Sequence, residues 1–478
     1  MQMMIGDQFT ESVSGERTSI TNPAKGIPAG EVPSGGKEDV DLAVEAAFEA
    51  FGRWKELPNS HRGVALFRSA GLIRQEADRI AHILTTEQGK PLREAKDEVL
   101  GAAAVFEYYA GSASLITSGY SDTLPRYGYG VVQKRPLGVC GAIIPWNMPI
   151  LIAAWKIGAA LVTGNTLVLK PSIQAPMAVL ALGEVMERAG LPPGVLNIVT
   201  GKGTDAGDPL IRHDAVRKIS FTGSIQTGQA IARATAGTMK RLTLELGGND
   251  PMIVCSDVDP VAAADAALAL RLYNCGQICT SPKRMIVMDE IHDAFVSRLQ
   301  QTIPEVVIGD GIDPASRIGP LNNEAGRVGV EEAIQMLEDE GAHIFRGKLS
   351  AGLSEQGFFC PPALATGCAA DSKVLMEEIF GPLIPVIRAN DLDEAIEIAN
   401  STRFGLGASI WTQTINTAEQ VAEELQAGIV WVNQHMKLPP EVPFGGVKGS
   451  GYGRENGLSF IDAYTEEKTI LIARQGLF

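Results

Sequence analysis

The chain has 478 residues, 45% of them apolar and 20% charged, and its 41 Lys and Arg stand against 56 Asp and Glu for a formal charge of −15. This is ordinary globular composition in a chain too long for one core, and it predicts about two to four domains. The acidic balance offers no basic footprint for nucleic acid and works against anionic membranes.

Six cysteines, at 140, 255, 275, 279, 360 and 368, are few for the length, and no C-x-x-C or H-E-x-x-H occurs. The expectation is a reducing, cytoplasmic setting with no structural disulfide and no metal site. The N-terminus carries Asp7, Glu11 and Glu16 without an apolar run, so no signal peptide is expected.

In chain order, Val40, Ala43, Val44, Ala47, Phe48 and Phe51 recur at helical spacing and predict a helix over 40–51 with one apolar face. Residues 118–134 are polar, with a strand-like Gly130-Val131-Val132-Gln133. Residues 136–155 carry no charge and are long enough to span a bilayer. Pro136, Pro145 and Pro149 break that run, which reads as a buried loop-and-strand segment. Strands are expected at 139–144, 166–169, 195–199 and 218–221, with helices at 175–189 and 228–234. Such alternation predicts a parallel sheet with crossover helices. The pattern restarts after Gly247-Gly248, with strands at 252–255 and 285–288 and helices at 260–272 and 293–302. A second α/β domain beginning near 249 is the simplest reading. The end of the chain, 468–474, reads as an apolar strand, an edge that needs a partner.

Chemistry concentrates in three places. Cys279 ends Asn274-Cys275-Gly276-Gln277-Ile278-Cys279, Glu245 lies in Leu244-Glu245-Leu246-Gly247-Gly248, and Asn147 in Pro145-Trp146-Asn147-Met148-Pro149. A thiol, a carboxylate and a side-chain amide are the nucleophile, base and oxyanion donor of covalent chemistry on a carbonyl. Taken singly, Cys279 reads as a buried cysteine like its neighbour Cys275, and Glu245 either as a carboxylate half-buried or in a cleft, where its pKa would rise, or as a solvated strand end. Phe221-Thr222-Gly223-Ser224, ahead of Gly228, has the strand–glycine turn–helix form that holds phosphate on backbone amides. It is not a Walker A loop, and Gly201-x-Gly203-x3-Gly207 is one residue longer than G-x-G-x-x-G. Lys170 ends a strand before Pro171-Ser172, where a cation suits a ligand. Glu377-Glu378-Ile379-Phe380-Gly381-Pro382 and Pro443-Phe444-Gly445-Gly446 read only as ordered loops.

Together these strings resemble the NAD(P)-dependent aldehyde dehydrogenase superfamily, in its order, from Asn22-Pro23-Ala24 to Arg454-Glu455 and beyond. The resemblance implies an α/β fold. A Rossmann-like cofactor domain (1–117 and 135–248) would join an α/β catalytic domain (249–450) and a small β oligomerisation arm (118–134 and 451–478). It implies oxidation of an aldehyde to the acid by a homodimer or homotetramer. Cys279 would be the nucleophile, Asn147 and the Cys279 N–H the oxyanion donors, and Glu245 the base that hydrolyses the thioester. At the cofactor, Lys170 would meet the adenosine ribose, Ser224 the pyrophosphate and Glu378 the nicotinamide ribose. Phe380 would pack near the nicotinamide. Ile144, Pro145, Trp146, Ser172, Ile173, Gly203, Gly207, Phe221, Gly223 and Leu246 complete that cleft.

Ile173 follows Ser172 where many relatives have a glutamate for the ribose hydroxyls. The expectation is therefore NAD or NADP, leaning to NAD. Gly248-Asn249-Asp250 replaces a common Gly-Lys-Ser, with no evident consequence. The expected substrate pocket is Met148, Trp155, Tyr273, Ile278, Thr280, Met436, Leu438 and Phe444, largely apolar and without arginine. It favours a medium apolar or aromatic aldehyde over a small dicarboxylic semialdehyde. The rivals are a CoA-acylating or succinic-semialdehyde enzyme, a cysteine hydrolase and a silent binding relative. Glu245 argues against CoA acylation, the lack of a nearby His against the hydrolase, and intact Cys279 and Glu245 against silence.

Overall fold

The computed structural model describes residues 1–117, 121–124, 128–349, 353 and 357–473. Its first sheet is built on five parallel strands. Across the sheet they run Leu196–Ile198, Thr166–Lys170, Val139–Ile143, Val216–Thr222, Arg241–Glu245. In chain order that is 3-2-1-4-5, the doubly wound arrangement, and it reverses direction beside Val139–Ile143. The hairpin Met3–Ile5 and Gln8–Thr10 extends one edge, and Gly451–Tyr452 closes the other.

The strands Val139–Ile143 and Thr166–Lys170 are buried almost throughout, because helices cover both faces. One of those helices corrects the reading of 136–155. Pro149 does not break structure but begins the helix Pro149–Val162, occupying its first turn, where proline's missing N–H costs nothing. That helix is buried all round and contains Lys156. No helix among the described residues is long and apolar enough to cross a membrane. The helix expected over 40–51 spans Lys37–Trp54 and buries Val40, Ala43, Val44 and Ala47. Phe48, expected on that face, is instead 63% exposed, since Ala50 and Trp54 continue the buried stripe.

The second sheet begins at Asp250–Val254, five residues after the first sheet's last parallel strand. Across it lie His343–Arg346, Ala363–Thr366, Leu383–Ala389, Pro282–Met288, Asp250–Val254, Gly407–Trp411 and Ile429–Val432. All pairs are parallel except the first.

A third sheet stands apart: Thr465–Ile472 runs antiparallel along Gly128–Pro136, which pairs with Ser121–Leu124. Thr465–Ile472 is an edge, with Leu471 61% exposed. The arm expected from 451 takes only this last strand. Before it, Gly451–Tyr452 pairs with Arg241–Glu245, and the helix Ser459–Tyr464 buries Phe460 and Tyr464 in the first core. Residues 118–120, 125–127 and 474–478 of the expected arm lie outside the described residues.

Candidate active site

The loop that carries Cys279 is shaped by three consecutive left-handed residues, Asn274, Cys275 and Gly276, at φ 51°, 55° and 75°. L-residues adopt this region at a cost of about 1 kcal/mol or more each, so the surroundings must impose it. A Cβ on Gly276 would lie 2.2 Å from the Gly381 carbonyl oxygen, so only glycine fits there. Asn274 donates its N–H to Glu94 (2.7 Å) and its Nδ2 to the Asn147 carbonyl (3.0 Å), while its Oδ1 accepts from Gln88 (3.0 Å). The buried guanidinium of Arg271 donates to Gly276, Leu383 and Ile379 carbonyls and to Ser281 Oγ. It thereby fastens the Cys279 loop to the segment carrying Glu378 and Phe380.

Asn147 sits between the strand Val139–Ile143 and the helix Pro149–Val162. Its Nδ2 donates to the Gln277 carbonyl at 3.0 Å, which turns the amide toward the cysteine loop. Lys90, fully buried, donates to the Asn147 carbonyl (2.6 Å) and to Glu98 (2.5 Å). Glu98 in turn accepts the Ile150 and Leu151 N–H groups at 2.8 and 3.2 Å, satisfying orphan donors at the start of that helix.

Glu245 ends the strand Arg241–Glu245 and is 2% exposed, and among the described residues neither of its oxygens has a hydrogen-bond partner. The expected half-burial or cleft position is a nearly complete burial. Burial, and then the negative charge of Glu455, push its carboxyl well above the ordinary range. Burial also works against Glu455, yet Lys156 and Ser220 hold that carboxyl below its usual value. Their donors lie 2.8 and 2.7 Å from Glu455 Oε1.

Cys279, Asn147 and Glu245 meet on the wall of one cavity of about 640 Å³. All eight residues of the expected pocket line it too: Met148, Trp155, Tyr273, Ile278, Thr280, Met436, Leu438 and Phe444. Trp155 and Phe444 face each other with ring centroids 5.3 Å apart. Sequence reasoning missed Arg317, Asp97 and Lys437, which line the same cavity but are solvent-exposed. Burial raises the Cys279 thiol to about 12, Lys283 opposes the rise, and Glu378, Asp250 and Glu245 add to it.

The expected cofactor residues fall mostly at the carboxyl ends of the first sheet's strands. Ile144, Pro145 and Trp146 follow Val139–Ile143. Lys170 ends its strand, and Phe221, Gly223 and Ser224 stand at or after the end of Val216–Thr222. Lys170 is nearly buried, and among the described residues it donates only to the Pro171 carbonyl (2.9 Å), so two of its three donors have no partner there; burial lowers it to about 8. Gly207 lies against its aliphatic stem, where a Cβ would come within 3.6 Å of Cδ. Ser224 caps the helix Ile225–Thr235. Gly223 and Gly228 would each clash if substituted, with the Phe221 ring and Leu246 side chain respectively. Trp146 and Phe380 meet edge to face at 5.7 Å.

Three members sit less directly. Ser172 Oγ accepts from the Gln174 N–H in its own turn (3.3 Å), Ile173 packs half-buried on the first core, and Gly203 is exposed. A buried ammonium with one of three donors satisfied, a glycine turn at a helix N-terminus and a carboxylate at Glu378 form a donor and acceptor set that fits a dinucleotide with its diphosphate.

Functional candidates that sequence reasoning missed are Lys90, Glu98, Lys156, Glu455, Lys283 and His435. The available signal was charge inside apolar runs: Lys156 within 150–162, and Lys283-Arg284 heading Pro282–Met288. His435 is buried between Ser409 Oγ and the Thr280 carbonyl, both at 2.8 Å.

The family model described as "Aldehyde dehydrogenase family" matches residues 9–470. A phenylacetaldehyde dehydrogenase of Pseudomonas fluorescens is 39% identical, over 99% of this chain and 96% of the relative. An NADP(+) succinate-semialdehyde dehydrogenase of Escherichia coli (strain K12) is also 39% identical, over 98% and 97%. Among solved structures, the betaine aldehyde dehydrogenase of Staphylococcus aureus in complex with NAD+ superposes with a TM-score of 0.96 at 33% identity. That match covers 99% of this chain and 95% of the other.

Proposed function

The chain belongs to the aldehyde dehydrogenase family, and on that premise we propose that it oxidises a medium apolar or aromatic aldehyde, with Cys279 as nucleophile. The observation that carries the reading is the convergence of Cys279, Asn147 and Glu245 on a cavity whose buried lining is largely apolar. Pockets of a few hundred cubic ångströms, mostly apolar with a few polar groups, suit small organic ligands.

The Cys279 thiol first gives its proton to water, and the thiolate sulfur then bonds to the aldehyde carbon as the carbonyl π pair moves onto oxygen. The Asn147 amide and the Cys279 N–H stabilise that oxyanion. NAD(P)+, when bound, supplies the acceptor for the hydrogen and two electrons that leave the substrate carbon. Glu245, in its ionised form, then takes a proton from water as the water oxygen bonds to the thioester carbon, the C–S bond breaks and the thiolate is restored. Lys170, Ser224, Glu378 and Phe380 would hold the cofactor. The absence of a carboxylate at 173 supports use of both NAD+ and NADP+, with NAD+ favoured. The two sheets would divide as a cofactor and a catalytic domain, and the third sheet would join subunits of a cytoplasmic homo-oligomer.

A second reading is a semialdehyde substrate. It is favoured by Arg317 and Lys437, exposed on the cavity wall, which could meet a far carboxylate. A panel of phenylacetaldehyde, aliphatic aldehydes and succinic semialdehyde, each with NAD+ and with NADP+, separates the two. Cys279→Ser should abolish activity while Cys275→Ser does little. Equal activity in the two variants overturns the assignment, and a kcat/KM highest for the semialdehyde selects the second reading.

A further inference from the structure

Lys283 lies four residues after Cys279, at the head of the fully buried strand Pro282–Met288, and is itself 2% exposed. Its ammonium donates to the Ile278 carbonyl at 2.8 Å and to the Cys279 carbonyl at 2.6 Å. The third partner is Glu378 Oε1 at 3.3 Å, and the Phe380 ring lies 5.9 Å away. Two of the three ammonium donors go to carbonyls, and Glu378 stands as the counter-charge. Those carbonyls lie on either side of the cysteine.

We propose that Lys283 is a positioning residue for the reaction: it clamps the two peptide planes that flank Cys279 and polarises the N–H that receives the oxyanion. The Ile278 carbonyl and the Cys279 N–H belong to one resonant peptide unit. A cation on the oxygen draws density from the nitrogen, so the N–H becomes a stronger donor, as in any hydrogen-bond chain. The same ammonium is a positive charge close to a sulfur that must ionise in an apolar setting. The charges set against it are Glu378, Asp250 and Glu245. His435, which packs nearby, is held neutral, its pKa lowered to about 3 by burial. The ion pair with Glu378 extends the clamp to a residue expected at the cofactor. This inference rests on Cys279 being the nucleophile.

The test compares Lys283→Met, Lys283→Gln and Lys283→Arg with the wild type. One readout is the pH dependence of Cys279 alkylation by iodoacetamide without cofactor, scored on the Cys279 peptide. The other is the burst of reduced cofactor with saturating aldehyde. Lys283→Met and Lys283→Gln should move the alkylation midpoint to higher pH. Lys283→Met should slow the burst on the order of tenfold, less than the roughly hundredfold or more for loss of a whole oxyanion donor. The aldehyde KM should stay within about twofold, because ground-state contacts are untouched. Lys283→Arg should restore the alkylation profile. If Lys283→Met fails to fold, the Gln and Arg variants decide. Folded Met or Gln variants with the wild-type alkylation midpoint and burst overturn the proposal. Activity retained in Cys279→Ser would instead overturn the nucleophile assignment on which it rests.

Discussion

Burial gives Glu245 its usefulness and its cost. A carboxylate in an apolar wall, with no hydrogen-bond partner among the described residues, holds its proton well above the ordinary range, chiefly by desolvation. Such a group is a far stronger base than a solvated carboxylate once it is ionised. Glu245→Gln should therefore leave a pre-steady-state burst of reduced cofactor followed by slow turnover. An unchanged steady-state rate would remove Glu245 from the mechanism. At the far end of the cleft, Lys170 is lowered to about 8 by burial, so it is charged below that pH and neutral above it. The KM for NADP+ should then rise as pH passes about 8, more than the KM for NAD+, if Lys170 meets a phosphate. Ile173 neither binds ribose hydroxyls nor repels a 2′-phosphate, so the wild-type preference should be on the order of tenfold, about 1.4 kcal/mol. Ile173→Glu should sharpen it toward NAD+ by weakening NADP+. A wild type that already rejects NADP+ by about a thousandfold would show that another position sets the choice.

At the scale of elements, the start of the helix Pro149–Val162 shows how a site is held rather than merely lined. Lys90 and Glu98 are both wholly buried, so their pairing contributes little net stability, but losing one partner strands the other. Lys90→Met leaves the buried Glu98 carboxylate without its counter-charge, with only the Ile150 and Leu151 N–H groups on it, and leaves the Asn147 carbonyl to Asn274 alone. It should destabilise the enzyme by about 3 kcal/mol and lower kcat together with stability. Denaturant unfolding and steady-state kinetics on the same preparation check both. Unchanged stability would mean that the charge is solvated in the free enzyme. The left-handed run from Asn274 to Gly276 belongs to this scale as well, because no single residue imposes it: Glu94, Gln88 and Arg271 come from three different helices.

For the whole molecule, residues that end strands of the first sheet and residues that precede a strand of the second line one cavity. The first sheet contributes the carboxyl ends of its strands, and the second contributes the loop ahead of Pro282–Met288. Doubly wound sheets bind ligands at carboxyl ends beside the point where strand order reverses, and Ile144 to Asn147 leave the sheet there. The third sheet adds an eight-residue edge strand, Thr465–Ile472, with exposed Leu471. An edge of that length is a template for another chain. Deleting residues 469–478 should shift the solution mass toward monomer in sedimentation or light scattering. A wild type that is already monomeric at micromolar concentration would count against a role for the strand in assembly.

Much of this was determined by local sequence. Alternating apolar runs and helical stretches specified a parallel α/β fold, because strand and helix periods are written in neighbouring residues. The restart after Gly247-Gly248 marks where the second sheet begins. The cysteine, glutamate and asparagine strings stand out because each sits in its own short motif, whereas the eight largely apolar pocket positions came from the family resemblance and line one cavity with them. The tertiary structure alone decided which charges are buried beside them. Lys90, Glu98 and Glu455 are ordinary charged residues in the sequence, and Lys156 and Lys283 stand out only as charges at apolar runs, with no sign of their partners. Their partners lie as far as 299 positions away, as Lys156 from Glu455 does. Phe48 and Pro149 mark the same boundary. Helical period places a face to within a residue or two, and whether a proline ends a helix or begins one depends on which donors the fold has already left without partners.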